Sequence, residues 1–147
     1  MFMRYISILY RFGSYGLRSG LEKDVKLNAT DQSILLFIRR HDGINQDGIC
    51  TYFLLNKTTV TKALDRMEQK GYITRKTNEC NKRENHVYLT ETGQEAAKTV
   101  IAAFSRFEQE CLSVLEPEER EKFEEACRKV SEKVLDRQLM QEEGSYA

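Results

Sequence analysis

The chain has 147 residues, 40% apolar and 31% charged, with one proline and no tryptophan. That length suits one domain, or one domain with an oligomerisation arm, and so few helix breakers favour a mostly helical protein. No apolar run approaches the roughly 18–20 residues that a bilayer span requires. Arg4, Arg11 and Arg18 interrupt the N-terminal stretch as they do not in a signal peptide, so the expected compartment is the cytoplasm and no membrane partner is expected.

The formal net charge is zero but unevenly spread. Residues 57–86 carry eight Lys and Arg against four acids, a net +4, while residues 108–143 carry six bases against twelve acids, a net −6. A basic middle and an acidic tail suit a protein that meets a polyanion on one side. Cys50, Cys80, Cys111 and Cys127 show no C-x-x-C spacing and are expected to be packing or incidental thiols. Cys80 and His86 lack further ligands nearby, so neither a metal nor another cofactor is expected.

Residues 3–19 place Tyr5, Ile8, Leu9, Phe12 and Tyr15 on a helical stripe. Gly13, Gly16 and Gly20 either permit close helix packing or mark a fraying end. Asn28 reads as an N-cap with Asp31 at the third helical position. The run ILLFI at 34–38 is apolar nearly all round and should be buried on most sides. Arg39, Arg40, His41 and Gly43 mark the end of that helix.

Asn45 caps a short helix with Ile49, Cys50 and Phe53 inward. Asn56 caps the next, KTTVTKALDRMEQ, whose inward stripe is Val60, Ala63, Leu64 and Met67 and which Gly71 stops. Two short helices so joined form a helix-turn-helix. The outward positions of the second are Lys57, Thr58, Thr59, Thr61, Lys62, Asp65 and Arg66. Hydroxyls and cations on the first two turns suit a helix in a DNA major groove.

YITR at 72–75 and HVYL at 86–89 alternate as half-buried strands do, with Ile73, Val87 and Leu89 inward. The loop of about ten residues between them is too long for a tight hairpin turn. A hairpin directly after a recognition helix is a wing, and its tip, with Lys82 and Arg83, is suited to a narrow minor groove. A long helix begins after Thr90-x-x-Gly93, with Ala97, Ile101, Phe104, Cys111 and Leu115 near one face. Pro117 starts the last helix, where Phe123, Cys127, Val130 and Val134 form a narrow seam. Such helices ask for partner helices, most simply a second copy of the chain.

The run KTTVTKALDRMEQKGYITRKTNECNKRENHVYLTETGQ resembles the core of the MarR-type multiple-antibiotic-resistance regulators. The matching pieces are Met67-Glu-Gln-Lys-Gly71, the wing loop Asn81-Lys82-Arg83 and Leu89-Thr90-Glu-Thr-Gly93, and the order of helices extends the resemblance over nearly the whole chain. One departure is Asn81, where the family commonly has an acid that pairs with the wing arginine. Asn accepts a hydrogen bond from Arg83 without charge assistance.

The resemblance implies a mainly α protein with a small β wing. Residues 28–93 would form the winged helix-turn-helix lobe, and residues 1–27 and 94–143 a helical dimerisation region. It implies a cytoplasmic, ligand-responsive homodimeric repressor bound to a pseudo-palindromic operator in double-stranded DNA. The expected DNA-binding residues are Asn56, Lys57, Thr58, Thr59, Thr61, Lys62, Arg66, Lys82 and Arg83. Tyr5, Phe12, Tyr15, Phe37 and His41 are candidates either to line a pocket for a small aromatic effector or to pack in the core. The alternative is a winged-helix protein-interaction module that does not read DNA sequence. No paired catalytic carboxylates, Ser/His/Asp set or phosphate-cradling glycine loop is present, so no enzyme is expected.

Overall fold

The computed structural model describes residues 1–13, 21, 24–77 and 85–145, with the side chains of 137–145 outside the description. Tyr15, Cys80, Asn81, Lys82 and Arg83 therefore lie outside the described residues. The chain forms two compact units, residues 1–107 and 108–147.

In the first unit, α1 (Phe2–Ile8) continues as a π-helical stretch over Leu9–Gly13. Its stripe residues Tyr5, Ile8, Leu9 and Phe12 are exposed. At Gly13 glycine permits a close approach: a Cβ there would come within 3.1 Å of the Phe107 ring. The lobe that follows is built on α2 (Ala29–Arg40), β1 (Ile44–Asn45), α3 (Gln46–Phe53), α4 (Lys57–Gln69), β2 (Ile73–Thr77) and β3 (Asn85–Leu89). The strands are antiparallel in the order β1-β3-β2, so β3 is central. Ile44 pairs with Val87 on one side of β3, and Arg75 pairs with Val87 on the other. The two-residue β1 was not legible in the sequence, being too short to alternate.

Each helix of the lobe starts on an asparagine whose side chain accepts a backbone N–H. Asn28 takes Asp31 N at 3.0 Å, Asn45 takes Gly48 N at 2.8 Å and Asn56 takes Thr59 N at 2.8 Å. Each such cap is worth about 1 kcal/mol. The core they deliver is continuous. Ile34, Leu35 and Ile38 of α2 meet Ile49 of α3, Val60, Ala63, Leu64 and Met67 of α4, and Ile73 and Val87 of the sheet, all buried. Full burial of one such aliphatic side chain contributes about 1.5–3 kcal/mol, so this cluster holds the lobe together.

The exit from the sheet explains the Thr90-x-x-Gly93 spacing. Thr90 Oγ1 accepts Gly93 N at 3.0 Å and donates to Gly71 O at 2.6 Å, while Thr90 N donates to Tyr72 O at 3.0 Å. The helix α5 (Glu91–Leu112) therefore begins hard against the end of α4. A Cβ on Gly93 would sit 1.9 Å from Tyr72 O, so only glycine fits. The buried face of α5 is Gly93, Ala96, Ala97 and Val100. Further along, Phe104 and Cys111 are exposed in the single chain.

The second unit holds the last turn of α5 and α6 (Pro117–Ser145), which opens at Pro117 as expected. Phe123, Cys127, Val130 and Val134 are all exposed on it. Among the described residues no helix is long and apolar enough to cross a membrane.

Candidate nucleic-acid interface

The helix-turn-helix is α3 and α4 joined through Leu54 and Leu55. Leu54 takes the left-handed conformation, with φ 53° and ψ 40°, and remains 62% exposed. The N-termini of the two helices are tied together. Gln46 Nε2 donates to Thr61 Oγ1 at 2.6 Å and to Lys57 O at 3.2 Å, and Thr61 Oγ1 donates to Lys57 O at 2.8 Å. Lys57 Nζ lies 3.0 Å from Asp47 Oδ1, with both side chains largely in solvent. Such a pair contributes little, about 0.2–1 kcal/mol, and separates readily.

The structure sorts the expected DNA-binding residues into two groups. Lys57, Thr58 and Lys62 stand exposed on the first two turns of α4, with Thr59 half-buried beside them. The side chains of Asn56, Thr61 and Arg66 are engaged in the fold. Asn56 caps α4 and Thr61 bonds Gln46. Arg66 turns back rather than outward: its Nε and Nη2 donate to Asp31 Oδ2 and Oδ1 at 2.9 and 2.7 Å. Asp31 is buried, so this two-pronged bond ties α4 to the start of α2. The bond to Asp31 raises the Arg66 pKa further, keeping the guanidinium charged. The capping acid of α2 thus serves a partner 35 residues away instead of closing a local capping box.

Arg75 on β2 is a second engaged cation. It meets Glu68 and Asp65, which hydrogen-bond it and raise its pKa above the usual arginine value. Neither Arg75 nor Gln46 was singled out in the sequence. A signal for Arg75 exists: it lies two residues from buried Ile73, hence on the same inward face of the strand.

The candidate pocket residues also divide. Phe37 and His41 of α2 come together, ring centroids 4.3 Å apart, and His41 Nδ1 donates to Phe37 O at 3.1 Å. Tyr52, stacked on Phe37 at 4.2 Å, and Phe53, edge-on at 5.4 Å, complete an aromatic cluster that the candidate set lacked. Tyr5 and Phe12 stand exposed on the N-terminal helical segment. Burial and the nearby Asp47 carboxylate push the Cys50 thiol pKa up, which disfavours the reactive thiolate.

Residues 27–85, the span from Leu27 at the base of α2 to the start of β3, match the MarR family model. That segment is a MarR-family domain. A curated relative, the HTH-type transcriptional regulator YwoH of Bacillus subtilis (strain 168), is 29% identical over 97 residues, 66% of this chain and 70% of that protein. A crystal structure of MarR superposes with a TM-score of 0.85 at 26% identity, covering 92% of each chain. A MarR-family regulator of Listeria monocytogenes, crystallised with a 26mer DNA, gives a TM-score of 0.81 at 24% identity, covering 97% of this chain and 94% of that one. The chain thus shares with the two solved structures a mainly helical winged-helix fold, here with a small three-stranded antiparallel sheet.

Proposed function

We propose that this protein is a homodimeric, sequence-specific DNA-binding repressor that answers to a small aromatic ligand. The observation that carries the DNA reading is the division along α4. Lys57, Thr58 and Lys62 remain exposed at its N-terminal end, while Asp65 and Glu68 are drawn onto Arg75. A helix offering hydroxyls and cations at its first turns, where backbone amides also point outward, fits phosphate and base edges in a major groove. Lys82 and Arg83 belong to the proposed wing contact. The solved Listeria relative, crystallised with DNA, supports the same use of the fold.

Two copies supply the spacing. In the first unit Phe2, Met3, Tyr5, Ile6, Leu9, Tyr10 and Phe12 are exposed, and in the second unit Phe123, Val130 and Val134 are exposed. So many uncovered apolar side chains exceed what a monomer ordinarily leaves in water, and a second copy is the simplest cover. Residues 1–27 and 94–143 would form the dimer helices and 28–93 the lobe. The effector would sit against Phe37, His41 and Tyr52. It would act by preferring a dimer whose recognition helices no longer match the operator, and DNA affinity falls by that preference.

The test is selection of bound sequences from random duplex DNA at physiological salt. An inverted repeat with half-site centres about 10 bp apart is expected. Failure to enrich any sequence refutes the reading. For the selected site, affinity should fall with salt by about 0.9 log units per log unit for each phosphate contacted, and Lys57→Ala should lower that slope by about 1.

A further inference from the structure

An acid on a recognition helix is a liability beside phosphate, and α4 carries two, Asp65 and Glu68, one helical turn apart. Both are turned toward the wing. Arg75 Nε donates to Glu68 Oε2 at 3.0 Å, and its Nη2 donates to Glu68 Oε2 at 2.6 Å and to Asp65 Oδ1 at 2.5 Å. The Arg75 side chain is only 21% exposed, because it lies on the inward face of β2 beside Ile73. Isolated surface ion pairs contribute little, but here one planar fork spans two carboxylates through three hydrogen bonds, a geometry lysine cannot reproduce.

The clamp's place in the chain gives it leverage. The strand leaves α4 through Gly71, whose φ is 72° and whose surroundings are open: nothing lies within 4 Å of an added Cβ. Below the clamp, Tyr72 N donates to Met67 O at 2.9 Å and Thr90 holds Gly71 O, pinning the base of the wing. Arg75 lies three residues farther out, toward the tip, where a small rotation about the base moves the wing farthest.

We propose that Arg75 is a positioning residue that sets the angle between the recognition helix and the wing, so that the two meet successive DNA grooves as one body. This rests on the DNA-binding reading above. Ordering the wing in advance removes part of the cost of ordering it on DNA. The same contact turns two carboxylates away from the phosphates.

Three variants separate position from charge. Arg75→Lys keeps the cation and loses the fork. Arg75→Ala loses both. The double variant Asp65→Asn, Glu68→Gln removes the acids and loosens the clamp while making the lobe more positive. Positioning predicts that Arg75→Lys and the double variant both select sites that keep the positions read by α4 and lose preference at the flanks reached by the wing. Arg75→Lys should bind the parent site about tenfold more weakly. If the double variant keeps its flank preference and simply binds more tightly, the contact acts through charge alone and the proposal is overturned.

A second arm needs no DNA. Nitroxides at Thr58 and Thr77, in full-length protein with Cys50, Cys80, Cys111 and Cys127 replaced by Ala and diluted with unlabelled chain, report the helix-to-wing distance. The distribution should broaden in Arg75→Lys, in Arg75→Ala and in the double variant, at melting temperatures that show each folded. An unchanged distribution overturns the clamp whatever the DNA result. Failure of the unsubstituted protein to enrich any sequence overturns the DNA reading instead, while the distances still decide whether Arg75 fixes the wing.

Discussion

Arg66→Met is the sharpest probe of how α4 is held, because it removes the guanidinium while keeping most of the stem that packs beneath it. The structure makes the pair unequal: the Asp31 side chain is 1% exposed and that of Arg66 is 40% exposed. Taking away the arginine leaves a carboxylate in a dry site, short of two donors that approach at 2.9 and 2.7 Å. Breaking a fully buried pair costs about 3–5 kcal/mol, and an exposed pair is worth well under about 1 kcal/mol. With one partner reaching water, and water able to follow the vacated head group, the expected cost is about 2–3 kcal/mol. Asp31→Asn is milder, about 1–2 kcal/mol, because the released arginine can turn into solvent. Urea unfolding at one fixed protein concentration measures both, since a dimer's stability depends on concentration. Asp31→Asn should also weaken DNA binding in the same direction as Arg66→Met, although no DNA contact is removed. An Arg66→Met cost within about 0.5 kcal/mol of zero, or a larger cost for Asp31→Asn than for Arg66→Met, would refute this reasoning.

Three further outcomes follow from single positions. Gly93→Ala, which places a Cβ 1.9 Å from Tyr72 O, should cost about 3 kcal/mol or abolish folding, read as soluble yield and far-ultraviolet circular dichroism. Leu54→Gly should stabilise by about 0.5 kcal/mol, read by urea unfolding, since the φ of 53° disfavours a side chain and little burial is lost from a residue 62% exposed. Cys50 should react with a maleimide more slowly than a cysteine in an unstructured peptide at neutral pH, because its raised pKa leaves less thiolate. Its rate should climb as the pH rises toward that pKa, followed by peptide mass spectrometry.

The order of elements in the lobe was legible because its signals are local. Asn28, Asn45 and Asn56 each stand one residue before a helix and bond the N–H three residues on, a geometry that needs nothing from the rest of the chain. Val60, Ala63, Leu64 and Met67 recur at helical spacing because one face of α4 is covered and the other is not. Gly71 and the Thr90-x-x-Gly93 spacing mark turns that particular residue types demand. These same features carry the family resemblance, which the match over residues 27–85 supports.

What the sequence alone determined, then, was the succession of caps, stripes and turns, and through it the winged-helix lobe. Tertiary structure decided which charges are free. Asp65 and Arg66 read as one outward polar surface in sequence, yet Arg66 is held by Asp31, 35 positions earlier, and Asp65, together with Glu68, by Arg75 on a different element. The same holds for Tyr52, which joins Phe37 and His41 only once α2 and α3 pack. Helical and strand periods fix the face on which a side chain lies, but its partner depends on which faces meet. That is set by packing between elements distant in the chain, so a long flexible cation has no determined role until the fold has closed around it.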